Sequence, residues 1–193
     1  MRYKVTFAAL LFAAPAAAHS GANLPGGFHY GLIHPLTGFD HVLAMVSVGL
    51  WGAFLGRPLI YALPILFPLL MVCGAALGML GVALPPAELG VALSVLVLGG
   101  AIALGWRAPV WLAMMIVAVF AIFHGYTHGI ELPSATDPIG YSAGFVLATG
   151  LLHVAGISIG LLNNSRHGAL LTRSLGALFS FAGCWFLYVA VTS

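Results

Sequence analysis

Charge is almost missing from this chain. Six basic and four acidic residues are all that 193 positions carry, and a water-facing surface for a domain of this size needs several times as many. A soluble globular fold is thereby excluded. The formal net charge of +2 is too small to draw the chain to nucleic acid, so no nucleic-acid partner is expected. Cysteine is scarce as well. Cys73 and Cys184 both fall within apolar runs and read as buried thiols that pack as small hydrophobes, not as a disulfide framework. There is no Walker-type phosphate loop, which argues against nucleotide hydrolysis by this chain alone and leaves a soluble ATPase partner open.

Hydrophobic residues fill the space, at 62% of the chain and a mean hydropathy of +1.10. That composition belongs to an integral membrane protein, with the lipid bilayer as its first partner. The opening eighteen residues, "MRYKVTFAALLFAAPAAA", combine Arg2 and Lys4, a short apolar stretch and an Ala16-Ala17-Ala18 site. They read as a cleavable signal peptide, too short in its apolar part to span. Residues 19–33 then form a leader containing histidines, and residues 34–193 a transmembrane domain.

Six apolar segments follow, at 35–56, 59–83, 87–105, 109–130, 139–162 and 168–191. Each is close to the ~20 residues that a helix needs to cross ~30 Å of hydrocarbon. The predicted fold is all-α, a six-helix transmembrane bundle. Pro and Gly punctuate the breaks, and Asp137 before Pro138 reads as an N-cap followed by a favourable first helical residue. If the mature N-terminus is outside, Arg57, Arg107, Arg166 and Arg173 all fall at inner ends, as the positive-inside rule requires. The expected setting is a bacterial inner membrane with both mature termini periplasmic. Glycines within the spans, among them Gly49, Gly74, Gly78, Gly156 and Gly160, read as positions of close helix approach. Pro64 and Pro68 are expected to bend the second span.

An ionisable group inside a membrane is costly unless paired or hydrated, so each one is a candidate for function. On the fourth span "FHGYTHGIE" sets His124, His128 and Glu131 within about 60° of one another around a helix. Two imidazoles and a carboxylate on one stripe make a ligand set for a first-row transition metal. The plainer reading is of core histidines satisfied by neighbouring carbonyls. On the first span "HPLTGFDHVLAM" carries His34, Asp40 and His41. His34 and His41 are seven apart and share nearly one face of a continuous helix, unless His34 is itself the N-cap before Pro35. Asp40 is open to three roles: ligand, acceptor that fixes an imidazole tautomer, or proton acceptor. Met45 reads as core.

Both clusters fall near the outer ends of their helices and are expected to meet. Signal cleavage would add the amine and imidazole of His19, with His29 in the same leader, as a capture arm or simply a polar tail. His153 lies deeper on the fifth span, as a second stop on an ion path or a buried hydrogen-bonded residue. His167, beside Arg166, reads as solvated surface.

At these two motifs, 34–45 and 124–131, the chain resembles the HupE/UreJ family of small membrane permeases found with nickel enzymes, with no departure at the motif positions. The resemblance spans essentially the whole chain. It implies transport of nickel or cobalt, with His34, Asp40, His41, His124, His128 and Glu131 at the matching positions. The leading expectation is therefore a secondary importer of Ni2+ or Co2+, the ion being cargo and no prosthetic group being needed. Homo-oligomers and metalloenzyme maturation proteins stand open as partners. A ceramidase-like intramembrane hydrolase holding Zn2+ is the alternative, weakened by the lack of a companion serine in context. A structural subunit of a larger membrane assembly is the third reading.

Overall fold

The computed structural model describes residues 27–84, 86–131 and 137–192. The signal-peptide segment and His19 lie outside them. The described chain is helical, in seven α-helices: α1 (Gly27–Thr37), α2 (Phe39–Leu55), α3 (Leu59–Met79), α4 (Ala87–Leu104), α5 (Val110–Glu131), α6 (Pro138–Gly160) and α7 (Arg166–Thr192), with a 3-10 turn at Leu161–Asn164. The last five are each long and apolar enough to cross a membrane, and they begin and end within four residues of the expected spans. This is a multi-pass helical membrane protein.

The first span departs from expectation. It is two helices bent by 84° at Gly38, with helix already begun at Gly27, inside the leader. The break has a local chemistry. Helix termini leave carbonyls and amides without partners; at the end of α1 the Thr37 hydroxyl donates to the His34 carbonyl at 2.8 Å. At the start of α2, Asp40 accepts from the His41 amide at 2.8 Å, and its negative charge sits at the favourable end of the helix dipole. Gly38 is tight as well as flexible: a Cβ there would lie 3.0 Å from the Asp40 carboxylate and 3.1 Å from His41 Nδ1.

Lipid gives no hydrophobic force between helices, so they are held by close packing. α3 pairs chiefly with α5, α4 with α7, and α6 with both α1 and α2. Glycine makes each seam. A Cβ on Gly49 would collide with the His153 carbonyl and one on Gly156 with the Val46 carbonyl, so α2 and α6 touch backbone to backbone. Gly74 against Ile122 and Gly125 against Met71 do the same for α3 and α5. α2 runs through the centre, with Ala44, Met45, Val48, Leu50 and Trp51 fully buried.

Alternation of the helices sorts the polar residues to two ends. Arg57, Arg107 and Arg166 fall in or beside the α2–α3, α4–α5 and α6–α7 connections, and Arg173 donates from α7 to the Ala103 carbonyl at 2.9 Å. That carbonyl belongs to the last turn of α4, where no helical donor remains. The α1–α2 break, the end of α5 and the start of α6 lie at the opposite, histidine end. Here Asp137 caps α6 as expected, accepting from the Ile139 amide at 3.1 Å.

Cys73 and Cys184 are exposed, contrary to expectation. They face the bundle periphery, where the surroundings are acyl chains and an apolar thiol gains nothing from the protein interior.

Candidate metal centre

Four imidazoles converge at the histidine end. His34 comes from α1, His41 from the first turn of α2, and His124 and His128 from the last two turns of α5. The rings follow one another: His34 to His128 at 5.0 Å between centroids, His128 to His41 at 4.7 Å, and His41 to His124 at 5.0 Å. His34 Nε2 and His128 Nδ1 share a hydrogen bond of 3.2 Å. The continuous-helix geometry expected for His34 and His41 is replaced by the bend, which carries His34 over His128 on its own short helix. His41, His124 and His128 are buried.

Hydrogen bonding orders the rings further. Asp40 Oδ1 lies 2.9 Å from His41 Nδ1, so Nδ1–H donates to the carboxylate and the lone pair is left on Nε2. Of the three roles open to Asp40, its contacts match the acceptor that fixes a tautomer. His124 Nδ1 donates to the Phe120 carbonyl one turn earlier, at 2.9 Å, with the same result. The Nε2 atoms of His41 and His124 are buried and have no hydrogen-bond partner. Buried lone pairs left in this way are a rarity that calls for an explanation, and a Lewis-acidic guest supplies one.

Among the described residues no three potential ligands stand at metal-binding geometry; the rings are packed on one another. Their spacing nonetheless suits a shared ion. With a metal–nitrogen bond of ~2.0–2.1 Å the metal sits ~3.2 Å from a ring centre, so two imidazoles on one ion have centres ~4.5–5.2 Å apart for angles between square and tetrahedral. The observed separations fall in that interval.

The remaining candidates divide. Glu131 closes α5, three residues past His128, so its backbone register agrees with the expected stripe. His29 is exposed on α1, about 140° around the helix from His34, and does not join the cluster. His153 is buried deeper in the bundle, on the far side of Phe67, whose ring contacts His124 at 5.3 Å and His153 at 5.5 Å. Met45 is core, as expected.

Aromatic residues complete the site. Phe145 packs edge-on against His128 at 4.4 Å, and Tyr30 and Tyr141 flank His34 at 5.5 and 6.0 Å. Nothing in the sequence marks these rings, or Phe67, among the many aromatics of the apolar runs. An apolar cavity of about 100 Å³ between α3, α5 and α6 reaches His128 past Met71 and Phe145. A wider cleft of about 320 Å³ lies between the ends of α4 and α5, with Glu88, Tyr126 and Thr127 in its wall.

The fold and site thus define a membrane bundle with imidazoles buried at one end and a carboxylate orienting one of them. The sequence comparisons specify the group. The profile of the HupE / UreJ protein family matches residues 7–186, and Protein HupE of Rhizobium leguminosarum bv. viciae is 40% identical over 185 residues, covering 95% of this chain and 97% of that protein. The chain belongs to the HupE/UreJ family, a metal-transport family associated with nickel and cobalt uptake. No solved structure matches it.

Proposed function

We propose that this protein is a secondary importer of Ni2+ or Co2+ and that His34, Asp40, His41, His124, His128 and Glu131 form its capture site. The observation that carries the reading is the pair of buried, unpartnered Nε2 atoms on His41 and His124, each held in the ligating tautomer by a hydrogen bond to its Nδ1. In this reading imidazoles replace the ion's water shell stepwise. Asp40 and Glu131 offset part of a double positive charge that would be prohibitive in a low dielectric. The histidine end faces the periplasm and the arginine end the cytoplasm, in agreement with the positive-inside rule. His19 and His29 extend the capture arm outward, and any metal they bind is a first encounter outside the cage.

The chain's membership of a transporter family weighs against the hydrolase alternative. The test is uptake. Purified protein in liposomes is expected to admit radioactive nickel or cobalt, and His41→Ala to abolish the influx. Equal leakage through both would end the transporter reading.

A further inference from the structure

His153 occupies an unusual position. It is 1% exposed, and neither ring nitrogen has a hydrogen-bond partner. Leaving both nitrogens of an imidazole unpaired in a buried site costs a few kcal/mol, and packing alone offers no reason to bear it. Two further oxygen donors belong to the same neighbourhood. Thr149, one turn earlier on α6 and therefore on the same face, is fully buried with its hydroxyl unpartnered. Only Ser47 shares that state among the described hydroxyls; Thr127, Ser142, Ser158 and Thr192 each turn the hydroxyl back onto the carbonyl four residues before, as hydroxyls in helices ordinarily do.

The second donor is backbone. Pro68 has no N–H, so the Pro64 carbonyl loses the partner that an uninterrupted helix would give it. Pro64 stands one turn before Phe67, whose ring packs on His153 at 5.5 Å, so this stretch of α3 lies against the imidazole. Freed carbonyls of interrupted helices are a recurrent way of coordinating ions at membrane depth. This gives the two prolines inside α3 a use that bending alone does not.

We propose that His153, the Thr149 hydroxyl and the Pro64 carbonyl form a second, deeper coordination station for the divalent ion, separated from the histidine cage by the ring of Phe67. The proposal rests on the importer reading above. His153 stands eight residues beyond Phe145, the residue that packs on His128, which is about 12 Å further along α6. One ion cannot bridge that distance, so the two groups serve in succession. The deeper donors carry no formal charge, unlike the cage with Asp40. A neutral site holds a dication weakly, which suits a point of passage, since conduction needs sites that release.

The test uses the full chain, assayed for nickel binding in detergent and for radioactive nickel influx in liposomes. His153→Gln keeps hydrogen-bonding capacity and bulk but loses a strong ligand. His153→Cys keeps a ligand. Pro68→Ala returns an N–H to the Pro64 carbonyl. The expected result is influx reduced about tenfold or more in His153→Gln, a smaller loss in His153→Cys, slowed influx in Pro68→Ala, and cage affinity within about twofold of wild type throughout. Wild-type influx in His153→Gln would overturn the inner station and leave the importer reading standing, and so would loss of cage binding together with influx. No influx through the wild-type protein would overturn both.

Discussion

Replacing Asp40 by Asn is the sharpest probe of the cage, because it keeps the shape and removes only the charge. Asp40 Oδ1 accepts from His41 Nδ1 at 2.9 Å and from the His41 amide at 2.8 Å. An asparagine oxygen can occupy the same place, so α2 should still start at Phe39 and the fold should survive. Two quantities change. The hydrogen bond to Nδ1 is no longer charge-assisted, and losing such an outer support typically weakens metal binding 10- to 100-fold, or about 1.4–2.7 kcal/mol. The carboxylate would also lie roughly 6–7 Å from an ion on His41 Nε2. Its attraction for a dication at that range is ~1 kcal/mol at the dielectric of water and ~5 kcal/mol at an effective value near 20. The expected outcome is nickel affinity lower by about 100-fold, with thermal stability in detergent nearly unchanged. Titration calorimetry on the purified protein measures the first and scanning fluorimetry the second. Affinity within twofold of wild type would refute the assignment of Asp40 as the group that orders and neutralises the cage.

Gly38→Ala should disturb the same pair by sterics. The added methyl would sit about 3.0 Å from the carboxylate, and nickel binding should fall several-fold with little loss of fold stability; unchanged binding would show that the pair tolerates displacement. Gly156→Leu forces α2 and α6 apart where they touch at the Val46 carbonyl, at a cost of about 1–3 kcal/mol or more. Its melting temperature in detergent should drop by several degrees. Nickel binding should weaken as pH falls, because protons and the ion compete for the same Nε2 lone pairs; binding that strengthens in acid would contradict imidazole ligation. Cys73→Ala and Cys184→Ala should each change stability, read from the melting temperature in detergent, by no more than about 0.5 kcal/mol.

Five helices were readable from hydropathy because the length of an apolar run and the Pro and Gly at its ends are set by the thickness of the bilayer. The first span was not. Hydropathy is blind to direction, and the helix on either side of Gly38 is apolar, so a bent pair and a straight rod look alike in composition. The signals present, Pro35 inside α1 and Gly38 at the joint, admit a break without requiring one. The stripe of His124 and His128 follows from spacing on one helix and could be read directly. Their meeting with His34 and His41 depends on tertiary packing, which spacing only makes plausible. Phe67 was invisible for a different reason: its position between His124 and His153 is a fact about three helices, and its sequence neighbours Leu66 and Pro68 carry no trace of it. The cysteines were misread because a burial preference learned in water does not apply where the exterior is hydrocarbon.

His34 is mounted on a short arm of eleven residues, while His41 and His124 stand on long helices anchored through the bundle. Gly38 alone links the two mountings along the chain, but α1 is also seated on α6, where a Cβ on Gly31 would meet the Tyr141 carbonyl and one on Gly144 the Phe28 carbonyl. The roof of the cage is therefore latched by the α1–α6 seam, and lifting His34 off His128 requires that seam to part while Asp40, His41 and His124 keep their seats.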